Sequence, residues 1–410
     1  MSVDAGRIRA AASLLAGHVL RTPLIPAPAL SERMGARVLL KLESLQPTGS
    51  FKVRGVLVKL RSLTNDGFDG GVLAVSAGNH AQGVAYHAQR LGIPATVVMP
   101  RGTPFTKVGR TAALGARVIL EGEDLSQARA HAEHLAEREG LCLVHPYDDA
   151  DIIAGQGTVG LEMVADAPEL DCILVPIGGG GLCAGVAVAA KAVKPEIEIF
   201  GVQTSLYPSM WLAIRGETAD ARRMQTVAEG IAVKQPGTLT RPLIEALVAE
   251  IFLVDEVALE QAVYTLLDQQ RLVVEGAGAA PLAALTDHSP RFAGRTVGLV
   301  VSGGNIDSML LSSILMRGIA REGRLTGLRV EIPDTPGVLA KVTAIIGSEG
   351  ANIIEVYHRR LFYDVPVKLA ELDVVVETRG PDHVRALIEA LRRAGFPTRL
   401  LAGTATANAG

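Results

Sequence analysis

An alternation limits most strongly how this chain can fold. Short runs that are apolar almost throughout, at 38–42, 71–76, 95–99, 116–120, 172–177, 198–202 and 296–302, are separated by stretches with helical spacing, such as 53–62, 80–90, 126–138 and 182–193. A strand that is apolar on both faces must be covered on both faces, and strands that alternate with helices form parallel crossovers. The pattern predicts an α/β fold built on parallel sheet. Ligands of such sheets bind beyond the carboxyl ends of the strands, so the chemistry is expected in the loops that follow them. The uncharged run 172–190 is long enough to raise the question of a membrane span. Gly178, Gly179, Gly180 and Gly181 break it into strand, loop and helix, so it reads as a buried βα unit.

Composition closes off other classes. A chain of 410 residues with 48% hydrophobic and 20% charged residues has ample material for a globular core. A formal net charge of -3 gives no reason to expect nucleic acid or an anionic membrane as partner. The three cysteines, Cys142, Cys172 and Cys183, are odd in number and lack metal-ligand spacing, which fits free thiols in the cytoplasm. Asp4, Arg7 and Arg9 precede no long apolar core, unlike a secretory signal.

Two loops carry chemistry. In Ser50-Phe51-Lys52-Val53-Arg54-Gly55 a lysine stands where a helix begins. The positive end of the helix dipole disfavours a cation there and helps turn the amine into a nucleophile or proton carrier. Read alone, the same segment also suits a surface lysine on an amphipathic helix. The run Gly178 to Gly181 joins a strand to a helix. Its backbone N–H groups can converge on one anion, or its missing side chains can serve tight packing. It lacks the lysine and hydroxyl of a P-loop, so a single phosphate suits it better than a triphosphate. One phosphate and one activated lysine point to pyridoxal phosphate, whose aldehyde needs an amine and whose phosphate needs an anion cup.

At this point the chain resembles the threonine/serine dehydratase group of the tryptophan-synthase-like, fold type II enzymes that use pyridoxal phosphate. The resemblance rests on Lys41-Leu42-Glu43 through Gln46, Ser50 to Gly55, Ser-Ala-Gly-Asn-His-Ala-Gln-Gly from Ser76, Gly178 to Leu182, Glu275-Gly276-Ala277-Gly278-Ala279 and Ser302 to Asn305, in family order over about residues 10 to 320. It implies two open parallel-sheet subdomains. It also implies that Lys52, next to Phe51, holds the cofactor covalently and moves the substrate proton. Asn79 would bond the ring oxygen, Gly178, Gly179, Gly180, Gly181 and Leu182 would cup the phosphate, and Ser302 would face the ring nitrogen. Ser76, Ala77, Gly78, Asn79 and His80 would surround the substrate carboxylate, with His80 a structural hydrogen-bonder and not the base. Glu275 would lie by the ring edge or cap the turn after it. Glu229 would shape the pocket mouth or a surface turn, and Trp211 would pack.

The implied activity is β-elimination of ammonia from L-threonine to give 2-oxobutanoate. The rivals are a serine dehydratase of the same fold, a threonine synthase, and an amino-acid sensor with an idle cofactor domain. Related serine racemases carry a second, serine base where this chain has Ala77, so racemisation is not expected as its main activity. They also carry acidic cation ligands about where it has Gln203 and Ser209, so no tight divalent-metal site is expected.

The character changes near residue 325. Alternating Leu328, Val330 and Ile332, a turn, a helical face, two strands, a second helix and a last short strand give a βαββαβ order of ferredoxin-like type. Asp334-Thr335-Pro336-Gly337-Val338-Leu339 and Asn352-Ile353 resemble the ligand loop and following strand of an ACT domain, which implies an amino-acid effector, isoleucine for preference. The expected division is a catalytic domain at 1–320, a linker at 321–326, an ACT regulatory domain at 327–402 and a disordered tail at 403–410. A homodimer or homotetramer is expected.

Overall fold

The computed structural model describes residues 3–218, 225–359 and 368–401; the tail expected to be disordered, 403–410, lies outside them. The chain divides into two compact units, Met1–Ile306 and Asp307–Gly410.

The first unit holds two sheets. A six-stranded sheet runs Leu24–Pro26, Arg37–Leu42, Thr296–Val301, Cys172–Pro176, Glu198–Thr204 and Glu250–Val254. Its neighbours are parallel except the first pair. A four-stranded sheet runs Arg117–Leu120, Ala95–Met99, Val72–Val75 and Cys142–Leu143, parallel throughout. The predicted apolar runs are strands in these sheets, and the central ones are buried, as a parallel sheet covered by helices requires, while the edge strand Arg117–Leu120 is partly exposed. Three strands escape the sequence reading. Leu24–Pro26 and Cys142–Leu143 are very short, and Glu250–Val254 follows the helix Thr240–Leu247 so closely that the apolar residues run together. The largest core forms where the helices Ala150–Asp166 and Gly181–Val193 pack, through residues such as Ile153, Val159, Met163, Ala187 and Ala190.

Strands Arg37–Leu42 and Thr296–Val301 are neighbours, so the loops that leave them meet. Phe51 N donates to the Ser302 carbonyl at 3.1 Å, and Gly304 N to that of Gly49 at 2.9 Å.

The second unit starts with the helix Ser308–Arg321 and continues βαββαβ, as predicted. Its antiparallel sheet runs Asn352–Arg359, Leu369–Glu377, Leu325–Pro333 and Thr398–Leu400. Leu328, Val330, Ile332, Val342, Leu372, Val374 and Leu387 make its core. Alternate strand positions carry charge instead: Arg329 binds Asp373 through two hydrogen bonds of 2.6 and 2.8 Å and also pairs with Glu371. No helix among the described residues is long and apolar enough to cross a membrane.

Candidate active site

Lys52 is the first residue of the helix Lys52–Asn65. Its Nζ donates to the Pro146 carbonyl at 2.7 Å. Over its whole surface the residue is only half-buried, yet its amine is enclosed by protein atoms. Burial pushes it down to about 8, while the negative charge of Glu275 pulls the other way. Desolvation is thus the leading cause of the shift that the helix dipole was expected to supply.

Lys52 is held in place by its neighbour. Arg54, fully buried, binds Glu43 in a two-pronged contact, Nε to Oε2 at 2.8 Å and Nη2 to Oε1 at 2.7 Å. It also binds Glu162 at 2.6 and 2.9 Å and the Thr158 hydroxyl at 3.1 Å. Buried Lys41 completes the cluster, donating to Glu162 at 2.6 Å and to the Thr22 carbonyl at 2.7 Å. Opposite charges this close satisfy one another's hydrogen bonds, which makes their burial tolerable. Lys41, Glu43 and Gln46 entered the sequence reading only as part of a matching stretch. Glu162, the one acid within the apolar stretch from Ile152 to Ala165, was the missed signal.

The loop after Val72–Val75 reaches the same place. Ser76 Oγ accepts from Gly78 N at 3.1 Å, and Asn79 begins the helix Asn79–Leu91. Asn79 Nδ2 lies 2.8 and 3.1 Å from the two oxygens of Glu275, and its Oδ1 accepts from Asn305 Nδ2 at 2.8 Å. Asn305 also donates to the Thr48 carbonyl at 2.7 Å, so Asn79, Glu275 and Asn305 form one chain of bonds. Glu275 stands at the head of the helix Gly276–Asp287, but its side chain makes no capping bond there, so the capping alternative is excluded. Burial pushes its carboxyl up to about 7 against the hydrogen bond from Asn79. His80 Nε2 lies 2.8 Å from the Val144 carbonyl, while Nδ1 has no partner among the described residues. Burial, helped by the Lys52 charge, pushes the ring down to about 3, so it stays neutral.

The glycine loop follows strand Cys172–Pro176. A side chain at Gly179 would start 2.3 Å from the Tyr147 ring, and one at Gly180, where φ is +99°, 2.7 Å from Thr240 Oγ1. Packing therefore demands glycine. The N–H groups of Gly178, Gly179, Gly180 and Gly181 also have no acceptor among the described residues, which is what an anion cup requires. Leu182 is buried in the first turn of the helix that follows. Ser302 is buried, with its carbonyl on Phe51 N. Lys107 forms an ion pair with Glu229, which is exposed. The Trp211 ring is partly buried and stacks under the Arg215 guanidinium at 3.7 Å. A lysine amine shifted toward neutrality, a cup of free N–H donors and polar groups converging between two sheets fit pyridoxal phosphate. No group of three His, Cys, Asp or Glu among the described residues could hold a metal ion.

The effector residues fall apart within one chain. Asp334, Pro336, Gly337, Val338 and Leu339 follow the end of strand Leu325–Pro333. Asn352 pairs with Glu377, which pairs with Leu325, so Asn352 and Ile353 lie by the start of that strand.

The model of the pyridoxal-phosphate dependent enzyme family matches residues 15–303, and that of the ACT domain residues 326–396. An L-threonine ammonia-lyase of Thermotoga maritima is 42% identical over 96% of this chain and 98% of its own length. One of Geobacter sulfurreducens is 42% identical over 95% and 97%. Among solved structures, maize serine racemase matches with a TM-score of 0.73 and 32% identity over 78% of this chain and 98% of its own. A processed threonine deaminase of Solanum lycopersicum matches with 0.71 and 32% identity over 77% and 94%. The chain belongs to the pyridoxal-phosphate dependent enzyme family and carries a C-terminal ACT domain.

Proposed function

We propose that this chain is an L-threonine ammonia-lyase that forms 2-oxobutanoate and ammonia. The observation that carries the reading is the enclosed Lys52 amine at the meeting point of four loops, in a chain alike over its whole length to two enzymes of that name. Lys52 would hold pyridoxal phosphate, with its phosphate on Gly178 to Leu182, its ring nitrogen toward Ser302 and its ring oxygen toward Asn79. When bound, that cofactor withdraws electrons from the substrate and weakens its Cα–H bond. Lys52 Nζ is the base that takes this proton, since a pKa of about 8 leaves a useful share of free amine near neutral pH. The Pro146 carbonyl orients the amine, and the Arg54 cluster fixes the turn that carries it. Ser76, Gly78 and Asn79 would receive the substrate carboxylate, with Ala77 and His80 lining the same loop.

The catalytic part would span 1–320 and the regulatory part 327–402. ACT domains bind small molecules, and here the ligand would be an amino acid, isoleucine for preference, linking the enzyme to isoleucine formation. Because Gly337 and Asn352 lie at opposite ends of one strand, a complete site needs a second copy, which favours a homodimer or homotetramer. The location would be cytoplasmic, a reading that the free thiols support. The test is 2-oxoacid formation by the purified protein from L-threonine and from L-serine. Faster turnover of serine would make it a serine dehydratase, and none with either would make it a sensor.

A further inference from the structure

Gln203 lies in strand Glu198–Thr204, beside the strand that feeds the glycine loop, and is 0% exposed. Trp211 N donates to its Oε1 at 2.9 Å. A backbone N–H can only donate, so this contact fixes which end of the carboxamide is oxygen. Nε2 then donates to the carbonyls of Ile177 and Tyr207, at 3.3 Å each. Ile177 immediately precedes Gly178. Tyr207 precedes the helix Ser209–Ile214, whose Met210 would lie 2.8 Å from a side chain at Gly180. One side chain therefore ties the entry of the loop to the turn whose helix supports its middle. The Ser209 hydroxyl, two residues beyond Tyr207, is buried with no partner among the described residues.

We propose that Gln203 is the positioning residue of the glycine loop, and that its carboxamide does there what a small cation would do. It holds the Ile177 and Tyr207 carbonyls together so that the N–H groups of Gly178 to Gly181 face one phosphate. The proposal rests on reading that loop as the phosphate cup. It makes cofactor binding independent of metal ions. Gln203→Glu replaces two donors by lone pairs that face carbonyl oxygens, an arrangement that a hard cation between them would relieve. Gln203→Met keeps the volume but removes the donor shared by both carbonyls, and a cation gains no charged ligand there.

The experiment titrates pyridoxal phosphate into the full-length apoprotein by absorbance, for the wild type and both variants, in chelator and in magnesium or calcium. Thermal melting of each apoprotein reports its folding. The wild type should bind equally in both conditions. Both variants should bind about tenfold more weakly in chelator, as expected when a buried carbonyl loses its donor. The divalent ion should restore most of the loss in the glutamate variant and none in the methionine variant. Variants within about twofold of the wild type would overturn the proposal, since a lost buried hydrogen bond costs more than that. So would a weakened glutamate variant that ignores the cation, or a wild type that the cation helps. If Gln203→Met does not fold, the glutamate variant and the wild type still decide. A wild type that binds no pyridoxal phosphate would sink the reading of the loop itself, a separate result.

Discussion

Two basic side chains stand two residues apart on one helix turn, and their surroundings differ. Arg54 faces two carboxylates, a hydroxyl and a carbonyl. Burial alone would lower its pKa, but Glu43 and Glu162 more than offset that and hold it above its ordinary value. Among the described residues Lys52 donates one hydrogen bond, to the Pro146 carbonyl, and lies over the Phe51 ring, while Glu275 acts on it only as a charge. Arg54 is therefore fixed as a cation, while Lys52 is released toward a neutral amine. Desolvation acts on both groups, yet it builds structure in one place and reactivity in the other, and the deciding variable is whether a carboxylate is in contact.

The contrast can be broken from either side. Lys52→Ala should lower turnover by about 10²- to 10⁴-fold, the scale of a lost proton-transfer group, while leaving the melting temperature unchanged or higher. Initial rates and thermal melts check both halves. Arg54→Met should do the reverse in kind, destabilising the fold by about 3–5 kcal/mol because Glu43 stays fully buried without its charged partner. Denaturant unfolding measures it, and a loss near zero would remove the cluster's structural role.

A smaller effect separates the two cations by pH. The folded-state pKa of Lys52 is depressed, so the unfolded chain binds the extra proton between pH about 8 and 10.5. Stability of the apoprotein should rise with pH across that window relative to Lys52→Ala. Matched slopes in the two proteins would mean an amine with an ordinary pKa. The smallest expected effect lies in the second unit. Gly337 has φ of +86° and open space where a side chain would go, so Gly337→Val costs only backbone strain, about 1–2 kcal/mol. That variant should keep basal threonine turnover and lose its response to isoleucine, seen in saturation curves with and without the amino acid.

Much of this was legible in the sequence. The alternation of apolar runs and helices fixes the parallel sheets, because burial on both faces leaves that mark. The loops that follow strands converge, since Arg37–Leu42 and Thr296–Val301 are adjacent. Partnerships across the chain were not legible. Glu162 stands far from Arg54, and Glu275 far from Asn79, with no local pattern to join them. Nor could sequence tell that a tyrosine ring fills the space beside Gly179, so phosphate and packing looked like alternatives when both demands fall on one loop.

The central claim is that Lys52 is a released amine. Its titration in the apoprotein, followed by the pH dependence of its rate of modification by an amine reagent and located by peptide mapping, tests this most directly. The midpoint should lie at about 8. A midpoint near 10.5, the ordinary value for lysine, would contradict the account.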